Sequence, residues 1–140
     1  LEGENIMAWE MPLFNVTFEA GEDLTAAGVQ YKFVKLDSNG RVVVCTGATD
    51  KPVGILQESA PVATVGTEVV VMMAGISKVQ GDADLAIGDF IGTSADGQAD
   101  AKTPGTDTTE YVVGRVLKDN SAAAGYATVA FSCLNISRGA

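Results

Sequence analysis

Few side chains in this chain have the type and spacing that chemistry requires. Asp82, Asp84 and Asp89 lie close together and suggest a calcium loop, since Ca2+ gathers several oxygen ligands. The stretch lacks the central glycine and terminal glutamate of an EF-hand, so these aspartates read as turn residues. Asp96, Asp100 and Asp107 fall in loops and read as solvated carboxylates. The chain contains no histidine, which removes the commonest general base and the commonest zinc ligand. Its two cysteines, Cys45 and Cys133, sit inside apolar runs and read as buried thiols rather than as a zinc pair or a disulfide. Serines and lysines are present without the spacing of a nucleophile and its base. No catalytic residue, no metal site and no cofactor is expected, and the chain reads as a non-enzyme.

The side chains that could do work are apolar ones that bind. Trp9, Met11, Leu13, Phe14, Val16 and Phe18 recur through a short segment near the N-terminus, followed by a polar break at residues 19–23. Aromatic and large aliphatic anchors dominate interface energetics. Alternation over residues 11–18 predicts a strand, and Pro12 directs it to an edge or an extended arm. The segment reads either as the first strand of the main domain or as an arm docking on a neighbour by strand addition. The arm reading divides the chain into an extended arm over residues 1–20 and a β domain over 21–140.

The elements behind these side chains are short and β-like. Residues 31–36 (YKFVKL) alternate lysine with apolar residues, Asn39-Gly40 marks a hairpin turn, and residues 41–46 return. Residues 53–57 form another strand, where Gly54 marks a bulge or a close backbone approach. The organising stretch is residues 66–93. A Val-rich run from 69 to 74 is closed by Gly75, a second run covers 76–79, and Gly81-Asp82 stops it. That pattern predicts a strand buried on both faces and then a shorter one. Residues 98–109 (QADAKTPGTDTT) read as a surface loop, 111–117 as a strand, 126–134 as a final alternating strand, and 135–140 as a tail. No stretch carries a long amphipathic helix. The expected fold is all-β: a small single-domain β-barrel or sandwich with an extended N-terminal arm.

Charge narrows the partners. Eighteen acidic against nine basic side chains give a net charge of −9, which repels phosphate backbones, so nucleic acid is not an expected partner. Acidity serves solubility, or keeps an abundant protein off DNA. No run is long enough to span a bilayer and no signal peptide is visible, so no membrane role is expected. Met7 and Met11 are alternative starts. Asn15-Val-Thr17 and Asn135-Ile-Ser137 match the glycosylation pattern by chance in that setting. Residues 81–97 (GDADLAIGDFIGTSADG) resemble the turns of biotinyl and lipoyl carrier domains, but Met72-Met73 is followed by Ala rather than by the lysine a carrier needs.

The order of several blocks carries a further resemblance: YKFVKLD before Asn39-Gly40, then KPVGILQ at 51–57, then residues 66–79 ending in GISKV, then Ile87-Gly-Asp89, then VGRVL at 113–117. This order resembles the capsid cement (decoration) proteins of tailed bacteriophages, over residues 20–134. The resemblance implies a small β protein that binds the outer surface of a phage head, bridges adjacent capsomers and stabilises the shell. Its implied partner is the major capsid protein and its implied state a homotrimer, assembled in the host cytoplasm. The alternative from a different class is a carbohydrate-binding or adhesin-like β module on a virion surface. That reading calls for exposed aromatics, with Tyr31, Tyr111 and Tyr126 as candidates.

Overall fold

The computed structural model describes residues 10–140. Trp9, and with it one expected anchor, lies outside the described residues. The fold is all-β, a strongly curled half-barrel sheet whose only helical feature among the described residues is a 3-10 turn at Ala27–Val29. The strands are β1 (Met11–Glu19), β2 (Phe33–Leu36), β3 (Val42–Val44), β4 (Gly54–Leu56), β5 (Glu68–Gln80), β6 (Phe90–Thr93), β7 (Ala99–Ala101), β8 (Tyr111–Val112), β9 (Gly114–Lys118), β10 (Tyr126–Ser132) and β11 (Ser137–Arg138). The main sheet runs β3-β2-β4-β5-β10-β9-β6-β7, with β1 added at β5, while β11 and β8 form a separate pair.

β5 is the spine. Val71 and Met72 pair with both β1 and β4, and Ala74, Gly75 and Ile76 pair with both β1 and β10. β1 therefore occupies one edge of β5, while β4 and then β10 follow one another along the other. This corrects the expectation that Gly75 ends the first run. The chain passes through Gly75 at φ +134, a conformation that costs glycine little, and the two expected strands are one strand of 13 residues. Nor is β5 buried on both faces throughout: Val69, Val71, Met72 and Ala74 are buried, whereas Val70 and Met73 are half-buried.

Two apolar clusters fill the curl. One gathers Phe33, Ile55, Met72, Val79, Leu85, Ile91, Val116, Val129 and Phe131 with both cysteines; the other gathers Leu24, Val34, Val42, Leu56, Val69 and Val71. Burying each Leu, Ile or Phe contributes roughly 1.5–3 kcal/mol. Gly54 lets β4 close on β5, since a Cβ there would lie 2.4 Å from the Met72 carbonyl oxygen. The Asn39-Gly40 turn forms as its sequence predicts, with Gly40 at φ +75 and Asp37 N–H donating to the Arg41 carbonyl at 2.8 Å.

Three further expectations are corrected. The polar stretch 98–109 opens with β7, and its Lys102 is buried. The strand expected over 111–117 is broken at Val113 into β8 and β9, which belong to different sheets. The tail holds β11, whose Ser137 and Arg138 pair with Val112 and Tyr111.

Candidate functional site

The expected anchors lie on β1, and the structure grades them along the strand. Phe18 is half-buried and packs against the second cluster; Val16 is half-buried too. Met11, Leu13 and Phe14 are exposed at 62, 73 and 52 %. Leu13 and Met73 are the extra residues where the β1–β5 register shifts, a bulge that turns Leu13 outward. Met11 and Leu13 border an open apolar groove of about 340 Å³, completed by Gly75, Ile76, Ala130 and Phe131. Among the described residues β1 pairs as a strand only with β5, so its outer edge presents unpaired backbone groups beside this groove.

The groove belongs to a larger face. Directly paired residues in an antiparallel sheet point to the same side. Met11, Ile76, Ala130, Arg115 and Phe90 form one such row across five strands. The Arg115 guanidinium lies 5.6 Å from the Phe90 ring centroid. Lys78, Thr128 and Tyr126 occupy further positions of the same face. Met11, Ile76, Ala130, Arg115, Phe90, Lys78, Thr128 and Tyr126 include two cations and no carboxylate, on a chain of net charge −9.

At one end of the face stands a cluster that local sequence reasoning placed wrongly. Tyr31 was expected inside a strand; it lies just before β2 with φ +66. A left-handed conformation costs a non-glycine residue about 1–2 kcal/mol. Backbone bonds hold it there: Tyr31 N–H donates to the Leu56 carbonyl at 2.7 Å, and its own carbonyl accepts from Gln80 N–H at 2.9 Å. The buried Gln80 amide also donates to the carbonyls of Gly28 and Gln30, at 2.7 and 2.8 Å, and so fixes the approach to Tyr31. The Tyr31 and Tyr126 rings meet edge to face, centroids 5.2 Å apart at 78°, and Lys78 Nζ lies 5.5 Å from the Tyr31 centroid. Burial first, then the charge of Glu10 and more weakly those of Tyr126 and Glu58, push the Tyr31 hydroxyl up to about 12. Of the three tyrosines singled out in the sequence, the fold unites these two. Tyr111 lies apart on the small sheet with Arg138 over its ring.

The side chains considered for chemistry are structural. Asp89 accepts the Ala86 N–H at 3.0 Å and shapes a turn. Asn120 carries the neighbouring one, accepting the Leu85 N–H at 2.9 Å and donating to the Ala83 carbonyl at 2.8 Å. Among the described residues no group of three His, Cys, Asp or Glu side chains is placed to hold a metal. Burial pushes Cys45 up to about 12 and raises Cys133 as well, so neither thiol is activated.

No family model matches the chain, and no curated protein matches it. Among solved structures it is similar to the crystal structure of the head fiber gp8.5 N base in bacteriophage phi29. The match has a TM-score of 0.62 at 16% identity and covers 86% of this chain and 96% of that one. At that identity the two share a fold.

Proposed function

We propose that this chain is a structural, non-enzymatic protein of a phage head, bound to the outer surface of the shell. It docks on the major capsid protein, bridges adjacent capsomers and acts as a homotrimer. The observation that carries the reading is the state of β1: Met11, Leu13 and Phe14 stand exposed on an edge strand beside an apolar groove. An apolar patch of this kind marks an interaction site. The shared fold with a phage head fiber base supports a place on the head. A compact β domain loses little ordering entropy on docking, and a trimer multiplies modest contacts into avidity. The arm, residues 1–20, is the docking element and residues 21–140 the body, with Trp9, Val16 and Phe18 extending the anchor set.

The test is co-sedimentation with expanded heads lacking this protein. The parent chain pellets at a saturable ratio. Leu13→Asp and Phe14→Asp, which alter exposed side chains, melt within about 0.5 kcal/mol of the parent yet stay in the supernatant. Pelleting by both variants would move the docking surface away from β1, and a parent chain that never pellets would overturn the head reading.

A further inference from the structure

We propose that Tyr31, Tyr126 and Lys78 form a binding site for a neutral saccharide. The inference is independent of head docking, since it uses the opposite end of the β5–β10 face from the Leu13 bulge.

The composition of the cluster selects the ligand. Tyr126 is exposed at 44 %, and Tyr31 meets it edge to face, so two aromatic rings converge at one place on the sheet. Beside them stands one cationic donor, Lys78, and the tyrosine hydroxyls can both donate and accept. A pyranose has C–H faces that stack on an aromatic ring and hydroxyl edges that need donors and acceptors together. A purely apolar ligand would leave Lys78 and the hydroxyls unused. A polyanion would meet the chain's net charge of −9.

The construction of the site points the same way. A bulky residue held at φ +66 persists where its surroundings over-determine it, and such residues gather at functional sites. Here the surroundings are the Leu56 carbonyl, the Gln80 N–H and the Gln80 amide, which anchor the segment from both sides. Tyr126 is fixed by its pairing opposite Gln80, so one buried residue sets the relation between the two rings. The two rings are thus held in a fixed relation before a ligand arrives, which lowers the ordering cost of binding. Gln80 is a positioning residue; the two tyrosines and Lys78 are the contacts.

Saturation-transfer NMR tests this on the full chain, with soluble cello-, malto-, chito- and mannotetraose and an oligogalacturonate as probes at millimolar concentration. We expect transfer to at least one neutral tetrasaccharide and none to the oligogalacturonate. Tyr126→Ala weakens that binding by about tenfold or more, Lys78→Gln weakens it less, and Phe90→Ala, on the same face but away from the cluster, leaves it unchanged. Melting curves confirm that the variants are folded. No transfer to any neutral probe, binding of the acidic probe alone, or equal binding by Tyr126→Ala would each overturn the site. Tyr126→Ala still pellets with heads if the docking reading holds, so the two proposals fail separately.

Discussion

Gly75 lies directly against Met11: a Cβ on Gly75 would stand 2.6 Å from the Met11 carbonyl oxygen and 2.8 Å from the Leu13 nitrogen. Both atoms are backbone, so no rotamer change relieves the clash, and φ +134 disfavours any other residue. Gly75→Ala should therefore push the start of β1 off β5 while the rest of the sheet holds. Stability should fall by about 1–3 kcal/mol. Hydrogen exchange checks it: β1 amides should exchange faster in the variant, and the amides pairing β5 with β10 should not.

Lys102 has a fully buried side chain held by Glu110 and, at 3.4 Å, by Asp100. Gly92 lies against it: a Cβ there would meet the Tyr111 carbonyl oxygen first and then the Lys102 Cε at 3.1 Å. Removing one partner of a buried ion pair leaves the other charge uncompensated, and truncation adds a cavity to that loss. Lys102→Met, which strips Glu110 and Asp100 of their cation, should lose about 3 kcal/mol, and Lys102→Ala, which adds a cavity, about 2 kcal/mol more. Denaturant titration separates them, and equal losses would mean that the charge, not the volume, holds the site.

Asp50 governs part of the acid stability. Burial would raise its carboxyl, but the Lys35 ammonium at 2.8 Å and the N–H groups of Thr46 and Gly47, both at 2.9 Å, outweigh burial and hold it below the usual value. A depressed carboxylate stabilises the fold above its unfolded pKa of about 3.9, and that stability is lost as pH falls through the folded value. Asp50→Asn should cost roughly 1–2 kcal/mol at neutral pH and melt with a shallower acid limb. Asp82, raised by burial and by Asp96 and Asp100, has the opposite sign, so the difference between parent and variant is the quantity to measure.

Cys45 and Cys133 share the first apolar cluster. Because burial raises both thiols, neither should react with a disulfide reagent at mildly alkaline pH while the chain is folded, and both should react on unfolding. Fast labelling of either thiol in the native protein would show that the cluster opens below the global transition.

What the sequence made legible was what acts over a few residues. Asn39-Gly40 names its own turn, Gly54 its close approach, and residues 126–134 alternate because one face packs inward. Gly75 misled because glycine punctuates most strands, and only the backbone of β1, about 60 residues earlier in the chain, explains it. Lys102 looked solvated because charge does not announce burial; Asp100 and Glu110 surround it only once β7 and β8 are placed. Tyr31 and Tyr126 came together for the same kind of reason. The alternation of residues 31–36 hid a left-handed turn, and no local pattern signals a contact between residues 95 positions apart. The apolar segment around Leu13 was legible, whereas its gradation from half-buried Phe18 to exposed Met11 depends on where the second cluster ends.

The antiparallel alignment of β1 on β5 also sets how the chain bears force. Eight positions, from Met11 against Ile76 to Glu19 against Glu68, are paired along one line. Tension drawn along that line from the N-terminal end loads these bonds in shear, so they must give way together. Tension drawn across it peels them singly, beginning with Met11 against Ile76 and running at once into the Leu13 bulge, where the ladder is already interrupted. A tether leaving Met11 along the strand axis is thus a strong attachment, and the same tether swung sideways is a release.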